Sequence, residues 1–310
     1  MTTHLHVHLE PNERKRRQAG VAKRSYDSSG QFFAEHALNG PGRLDVDLRD
    51  LQLFINDFHA EQRTQRVSYT ELRLSPRRFL APGTTLADVL IRADRVVAGL
   101  ADPVVRLILL LNRDSSAEFA DLCEGAIVAG LPGHFVGVDL AGDEIRFPDV
   151  GKFERCFCAA RSAGLGVTVH AGEFGDAGNV WRALDQLGAS RVGHAVSAMG
   201  CRDLARRLRQ DRILVEVSVT SNVALGAVPT LRSHPLPWLL DNGIPACLNT
   251  DVPMHLGTDL PAERQLAAQL MDNDWQALEA MEVMAQHHRF GGGLAAPSPV
   301  LDPRIGEVTP

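Results

Sequence analysis

The stretch Gly166-Val167-Thr168-Val169-His170-Ala171-Gly172-Glu173 runs from β-branched residues to a histidine and then, across two small residues, to a carboxylate. Branched side chains favour a strand, and Ala171-Gly172 lets the chain turn so that Glu173 comes back over the strand's end. Short runs of this kind recur at Leu5–Leu9, Val67–Leu74, Val104–Leu111, Phe135–Leu140, Arg191–His194, Ile213–Val217 and Pro245–Asn249. With Gly166–His170 they make eight candidate strands. Between them lie Leu48–Arg63, Leu86–Leu100, Ser116–Ala129, Lys152–Ala163, Val180–Leu187, Cys201–Arg209 and Leu231–Asn242, where apolar residues return every three or four positions, the spacing of an amphipathic helix. Strands that alternate with helices imply parallel β-α units, and eight units predict a closed (β/α)8 TIM barrel, an α/β fold. The rival is an open doubly wound sheet, but no G-x-G-x-x-G joins a strand directly to a helix here.

A single barrel domain over residues 1–310 accommodates the length. Two segments fall outside its rhythm. Residues 11–43 contain NERKRR and FFAEHALNGPG and follow the first strand, where a barrel places an active-site loop or lid. Residues 290–310, rich in Gly, Pro and Ala, predict a weakly ordered tail without catalytic role. The charge of −6, from 38 acidic against 32 basic residues, disfavours a nucleic-acid partner that must neutralise many phosphates. The five cysteines form no C-x-x-C pair, which fits a reduced, cytoplasmic setting. Neither a signal peptide nor a spanning segment is legible, because the most apolar run, Val104–Leu111, is short and carries Arg106. The expected partner is a small-molecule substrate, and the oligomeric state is not readable.

Four candidate strands end on residues that bind metals or move protons. His6 and His8, one residue apart on the first strand, share a face. His170 with Glu173, His194 and Asp251 close three others. Each has an ordinary structural reading too: a strand-end core histidine, an acid favoured in a helix's first turn, a hydrogen-bonded loop histidine, a capping aspartate. Their shared position at strand ends is what barrel catalysis requires. Three histidines and an aspartate around a divalent ion leave a position for water, whose pKa falls to about 7 on zinc. The remaining Glu173 and His194 then serve as proton donor and as base or charge stabiliser.

The ordered set HLHVHLE (4–10), TELRLSP (70–76), GVDLAGDE (137–144), VTVHAGE (167–173), RVGHAV (191–196) and the run 220–260 resembles the adenosine deaminase family of metal-dependent amidohydrolase barrels. The resemblance implies one Zn2+ per chain held by His6, His8, His170 and Asp251. It also implies Glu173 protonating the ring nitrogen beside the attacked carbon, His194 orienting the nucleophile, and the Gly142 backbone contacting the substrate ring. The implied reaction is hydrolytic deamination of an amino-substituted N-heterocycle. Hydrolysis of another C–N bond and a catalytically silent metal-binding barrel are the alternatives.

Three departures bear on the substrate. Where the family has Leu-Asp-Gly, this chain has Leu9-Glu10-Pro11, which alters the carboxylate expected at the sugar. The family's paired aspartates become Asp251-Val252, so the carboxylate expected at the purine is apolar. The segment after the first strand is short, predicting a reduced or rebuilt lid, and it is basic at Arg14, Lys15, Arg16 and Arg17. That run reads either as a solvated face or, with Lys23 and Arg24, as an attractor for an anionic substrate. Glu71 and Arg73 share one face of the second strand and are expected inside the barrel as a structural pair.

Overall fold

The computed structural model describes residues 2–20, 28–37, 40 and 44–291. Eight strands form the expected (β/α)8 barrel: β1 (Thr3–His8), β2 (Tyr69–Leu74), β3 (Val104–Asn112), β4 (Phe135–Ala141), β5 (Gly166–Ala171), β6 (Arg191–His194), β7 (Leu214–Val217) and β8 (Ala246–Leu248). They lie in chain order, each parallel to the next. The chain just beyond β8 closes the ring onto β1. His8 N–H donates to the Asp251 carbonyl at 2.8 Å, Asp251 N–H donates to the His6 carbonyl at 3.1 Å, and the Asn249 side chain accepts from Leu5 and His6 N–H.

Strand alternation sorts the side chains. Along β5, Val167 and Val169 join the apolar layer under the helices, with Leu72, Phe54, Phe58, Leu90, Val138 and Phe157. Thr168 and His170 face inward, to Glu216 and Asp139 respectively. Most expected helices form with small shifts of their ends, starting on capping residues such as Asp47 and Thr85, but Leu231–Asn242 divides at extended His234 into a short 3-10 turn and the helix Leu236–Asp241. The sequence reading did not include Leu260–Leu270 and Trp275–His287, which begin where Asp259 and Asp274 accept from Ala262 and Ala277 N–H.

The barrel interior is charged. Arg73 donates to Asp139 at 2.6 Å, to Glu216 at 2.5 Å and to the Leu5 carbonyl at 2.6 Å. Arg191 pairs with Glu71 at 2.6 Å and Glu216 at 2.7 Å. Glu71 and Arg73 therefore point inside as expected, but each is neutralised by a different strand rather than by the other. Below them, Phe290 N–H donates to Glu71 at 2.7 Å and the Phe290 ring lies 3.6 Å from the Arg191 guanidinium. Phe290, where the tail was expected to begin, is thus packed against the barrel, because its ring and N–H complete that charged layer. Residues 292–310 lie outside the described residues.

The basic run is a solvated face only in part. Residues Pro11–Gln18 form a helix in which Arg14 and Arg16 are buried. Arg14 pairs with Glu61, Lys15 with Asp50, Arg16 with Glu13, and Arg17 with Glu61. Arg14, Lys15 and Arg17 tie the helix to Leu48–Thr64, while Arg17 also keeps much of its side chain in water, as the solvated-face reading expects. Lys23 and Arg24 lie outside the described residues. None of the described helices is long and apolar enough to cross a membrane, and all five cysteines are free.

Breaking the interior network should be costly, since losing one partner leaves buried charges uncompensated. Arg73→Met, which leaves Asp139 and Glu216 without their shared cation, is expected to cost about 3–5 kcal/mol. Urea denaturation of the two proteins, compared at equal m-values, checks this.

Candidate metal centre and active site

The upper ends of β1, β5 and β6 and the chain after β8 bring His6, His8, His170, His194 and Asp251 together. One donor atom from each of His6, His170, His194 and Asp251 falls within 4.8 Å of all the others. His8 adjoins them, its Nε2 lying 3.1 Å from His170 Nε2 and 3.2 Å from Asp251 Oδ1. His6 Nε2 is 3.4 Å from Asp251 Oδ1 and has no hydrogen-bond partner. Burial, partly offset by Asp251, lowers His8 to about 4. Burial also lowers His170, against the pull of Asp139. Imidazole nitrogens and a carboxylate crowded together at the barrel mouth fit a divalent cation, and this donor set suits zinc.

Backbone shape helps to assemble the cluster. Asp251 and His194 both adopt left-handed φ, 61° and 66°, which non-glycine residues enter only under constraint. Gly193 has no Cβ to crowd His6, whose Cε1 would lie 3.0 Å from it. Ser221 donates to Asp251 Oδ2 at 2.6 Å. Burial opposes ionisation of Asp251, but the close His6 and His8 rings prevail and hold it well below the usual carboxylate range.

Glu173 sits beside the cluster on the turn after β5. Gly172 makes that turn at φ 71°, where a Cβ would collide with Ser197 Oγ at 2.3 Å. The turn is gripped by Glu144, whose carboxylate accepts from Gly172, Glu173 and Phe174 N–H at 2.6–2.8 Å and from Asn179 at 2.9 Å. Burial first, then the charges of Asp251 and Glu144, raises Glu173 well above the ordinary carboxylate range. Its Oε1 is buried without a hydrogen-bond partner and lies 3.6 Å from His194 Nδ1. The carboxyl therefore holds its proton more tightly than an ordinary carboxylic acid does.

A cavity of about 630 Å³ opens over these residues, lined also by Gly142, Glu10 and Val252. Gly142 turns there at φ 118°. Glu10 is already engaged, accepting from Met254 and His255 N–H at 2.9 and 2.8 Å, although burial raises it to about 8. It braces the segment after Asp251. Val252 packs with Phe32 and Leu225, flanked by Phe33, Phe174 and Leu256, so one cavity wall is apolar. Phe32 and Phe33 come from helix Ser29–His36, inside the segment expected to form a lid.

All the sequence-predicted site residues thus meet at one end of the barrel. Reading the sequence missed their supports: Asp139 and Glu216 behind the histidines, Glu144 under the acid, and Asn222 and His234 behind His194. A carboxylate alone in an apolar run, as in Val138-Asp139-Leu140 or Val215-Glu216-Val217, is the signal that was available.

The fold and site define a (β/α)8 barrel with a buried His/Asp cluster at the mouth. The family profile described as adenosine deaminase matches residues 46–290, and the chain belongs to that family. It is 37% identical over 184 residues to an adenosine deaminase from Vibrio parahaemolyticus, a match covering 57% of this chain and 53% of the relative. The chain spans about half the length of the curated relatives it matches. Its fold resembles adenine deaminase from Arthrobacter aurescens, with TM-score 0.78, 23% identity and 94% of each chain covered. Arabidopsis ADAL, crystallised with IMP, superposes with TM-score 0.77 at 22% identity, covering 94% of this chain and 92% of the other.

Glu144→Gln replaces an acceptor oxygen with a donor facing other donors. It is expected to destabilise the protein by about 1–3 kcal/mol, read as a lower urea midpoint.

Proposed function

We propose that the protein is a zinc-dependent hydrolase that replaces an amino group on a nitrogen heterocycle with oxygen and releases ammonia. The observation that carries this reading is Glu173, a buried carboxyl with an unpartnered Oε1 3.6 Å from His194 Nδ1, standing against a cluster of imidazoles and Asp251. His6, His8, His170 and Asp251 would hold the metal. When bound, a zinc ion supplies Lewis acidity that makes water a nucleophile near neutral pH.

The remaining chemistry belongs to the chain. Glu173 gives its proton to the ring nitrogen next to the attacked carbon, so that the carbon accepts oxygen without leaving full negative charge on the ring. One proton of the water consumed goes to the amino group, which departs as ammonia, and the other restores Glu173 to its acid form. The Gly142 backbone orients the ring, and the wall of Val252, Phe32 and Leu225 keeps water from one ring edge. The separation of ligand and acid roles predicts that Glu173→Gln keeps about one zinc per chain yet loses at least about 10²-fold in turnover, whereas His170→Ala loses zinc. Elemental analysis alongside ammonia release tests both halves.

The apolar wall also shapes the substrate. Val252 cannot hydrogen-bond a ring, and Glu10 already has two backbone partners. Adenosine is therefore expected to be a poor substrate compared with an amino-heterocycle whose edge facing residue 252 is apolar. Val252→Asp should raise kcat/KM for adenosine relative to the preferred substrate. A wild-type kcat/KM for adenosine near about 10⁶ M⁻¹s⁻¹, well inside the range of efficient enzymes, would overturn this.

A further inference from the structure

His194 lies among the metal-ligating side chains, its ring 5.1 Å from that of His6 and 5.2 Å from that of His170 between centroids. Distance does not decide whether it is a ligand, a base or a proton donor. The position of one hydrogen does, and a buried relay determines it.

The relay starts at a group that can only donate. The Leu236 backbone N–H points at His234 Nδ1, 3.1 Å away. That nitrogen must present a lone pair, so the hydrogen of neutral His234 is on Nε2. Burial lowers His234 to about 4, which keeps it neutral. His234 Nε2–H then donates to Asn222 Oδ1 at 3.1 Å. The amide is thereby oriented with its NH2 toward His194, whose Nδ1 is 2.9 Å from Asn222 Nδ2. Nδ1 of His194 accepts, and its hydrogen is on Nε2, a buried atom with no hydrogen-bond partner. All three side chains are buried, so water does not interrupt the sequence.

The other rings are set the opposite way. His6 Nδ1 faces the Glu216 carboxylate at 2.9 Å, and His170 Nδ1 faces Asp139 at 3.1 Å. Carboxylates accept, so these rings carry hydrogen on Nδ1 and a lone pair on Nε2, as metal-bound histidines do. A carboxylate behind the ring makes a ligand; an amide N–H behind it makes a donor.

We infer that Asn222 and His234 are positioning residues that hold His194 as an Nε2–H donor, so that it hydrogen-bonds an oxygen in the reaction rather than binding the metal or removing a proton. This rests on the deaminase reading only for what the donor does; the tautomer itself stands apart from it.

The relay predicts different outcomes for two nearly isosteric replacements. In His234→Gln the side-chain NH2 still donates to Asn222 Oδ1, so the His194 tautomer is kept and kcat falls by less than about tenfold. In His234→Glu the carboxylate requires a donor, Asn222 turns its NH2 away, and His194 moves its hydrogen to Nδ1. Asn222→Asp should force the same change directly. Fixing the wrong histidine tautomer costs a serine protease about 10⁴ in kcat, and a fall of about 10²–10⁴ is expected for both acidic variants, with KM and zinc content changing little. Ring-nitrogen ¹⁵N NMR of the zinc-loaded proteins reads the tautomer directly. A wild-type His194 protonated at Nδ1, or equal kcat losses in His234→Gln and His234→Glu, would overturn the inference. If an acidic variant does not fold, the wild-type and His234→Gln spectra still decide it. If no amino-heterocycle is turned over, the deaminase reading falls while the spectra still test the relay.

Discussion

Everything above the barrel floor depends on Arg73. Its guanidinium lies fully buried between Asp139 and Glu216, and those two carboxylates also take the Nδ1 hydrogens of His170 and His6. Arg73 helps to keep both carboxylates ionised against desolvation, behind His170 for Asp139 and ahead of Arg191 for Glu216. Ionised carboxylates accept hydrogen bonds, and accepted Nδ1 hydrogens direct imidazole lone pairs toward the barrel mouth. Scaffold electrostatics and ligand chemistry are therefore one network. This explains why so polar an interior is retained where apolar packing would fill the space more simply.

What the sequence revealed followed from repetition. Eight short apolar runs, each bounded by turns or amphipathic segments, are local signals, and the barrel follows once the units are parallel. The histidines and Asp251 were legible because they stand at strand ends. Their supports were not, because each acts across the barrel. Glu216 is 210 positions from His6 in the chain, and nothing near Val215-Glu216-Val217 announces that its partner is an imidazole. The Arg14–Arg17 run misled for the same reason. A cluster of charges reads as water-facing until Glu61 and Asp50, on another helix, are brought against it.

The cavity's two sides are built by different means. One is held by charge and hydrogen bonds, with Glu144 organising the turn of Glu173 through four donors. The other, from Val252 to Phe32, is apolar, with His36 and His255 packed against Phe32. Between them Glu10 caps the backbone after Asp251 while lining the cavity.

The seam between β8 and β1 has a thermodynamic consequence. Asp251 offers its side chain to the imidazole cluster while its own N–H and carbonyl bond to His6 and His8, the same residues whose rings complete that cluster. Ring closure and ligand convergence are thus a single conformational equilibrium. Any cation that binds the converged side chains draws the last strand onto the first by mass action, and any opening of the seam scatters the ligands. The barrel is latched at the place where it does its chemistry, so cation occupancy should be felt first in the hydrogen exchange of the His8 and Asp251 amides.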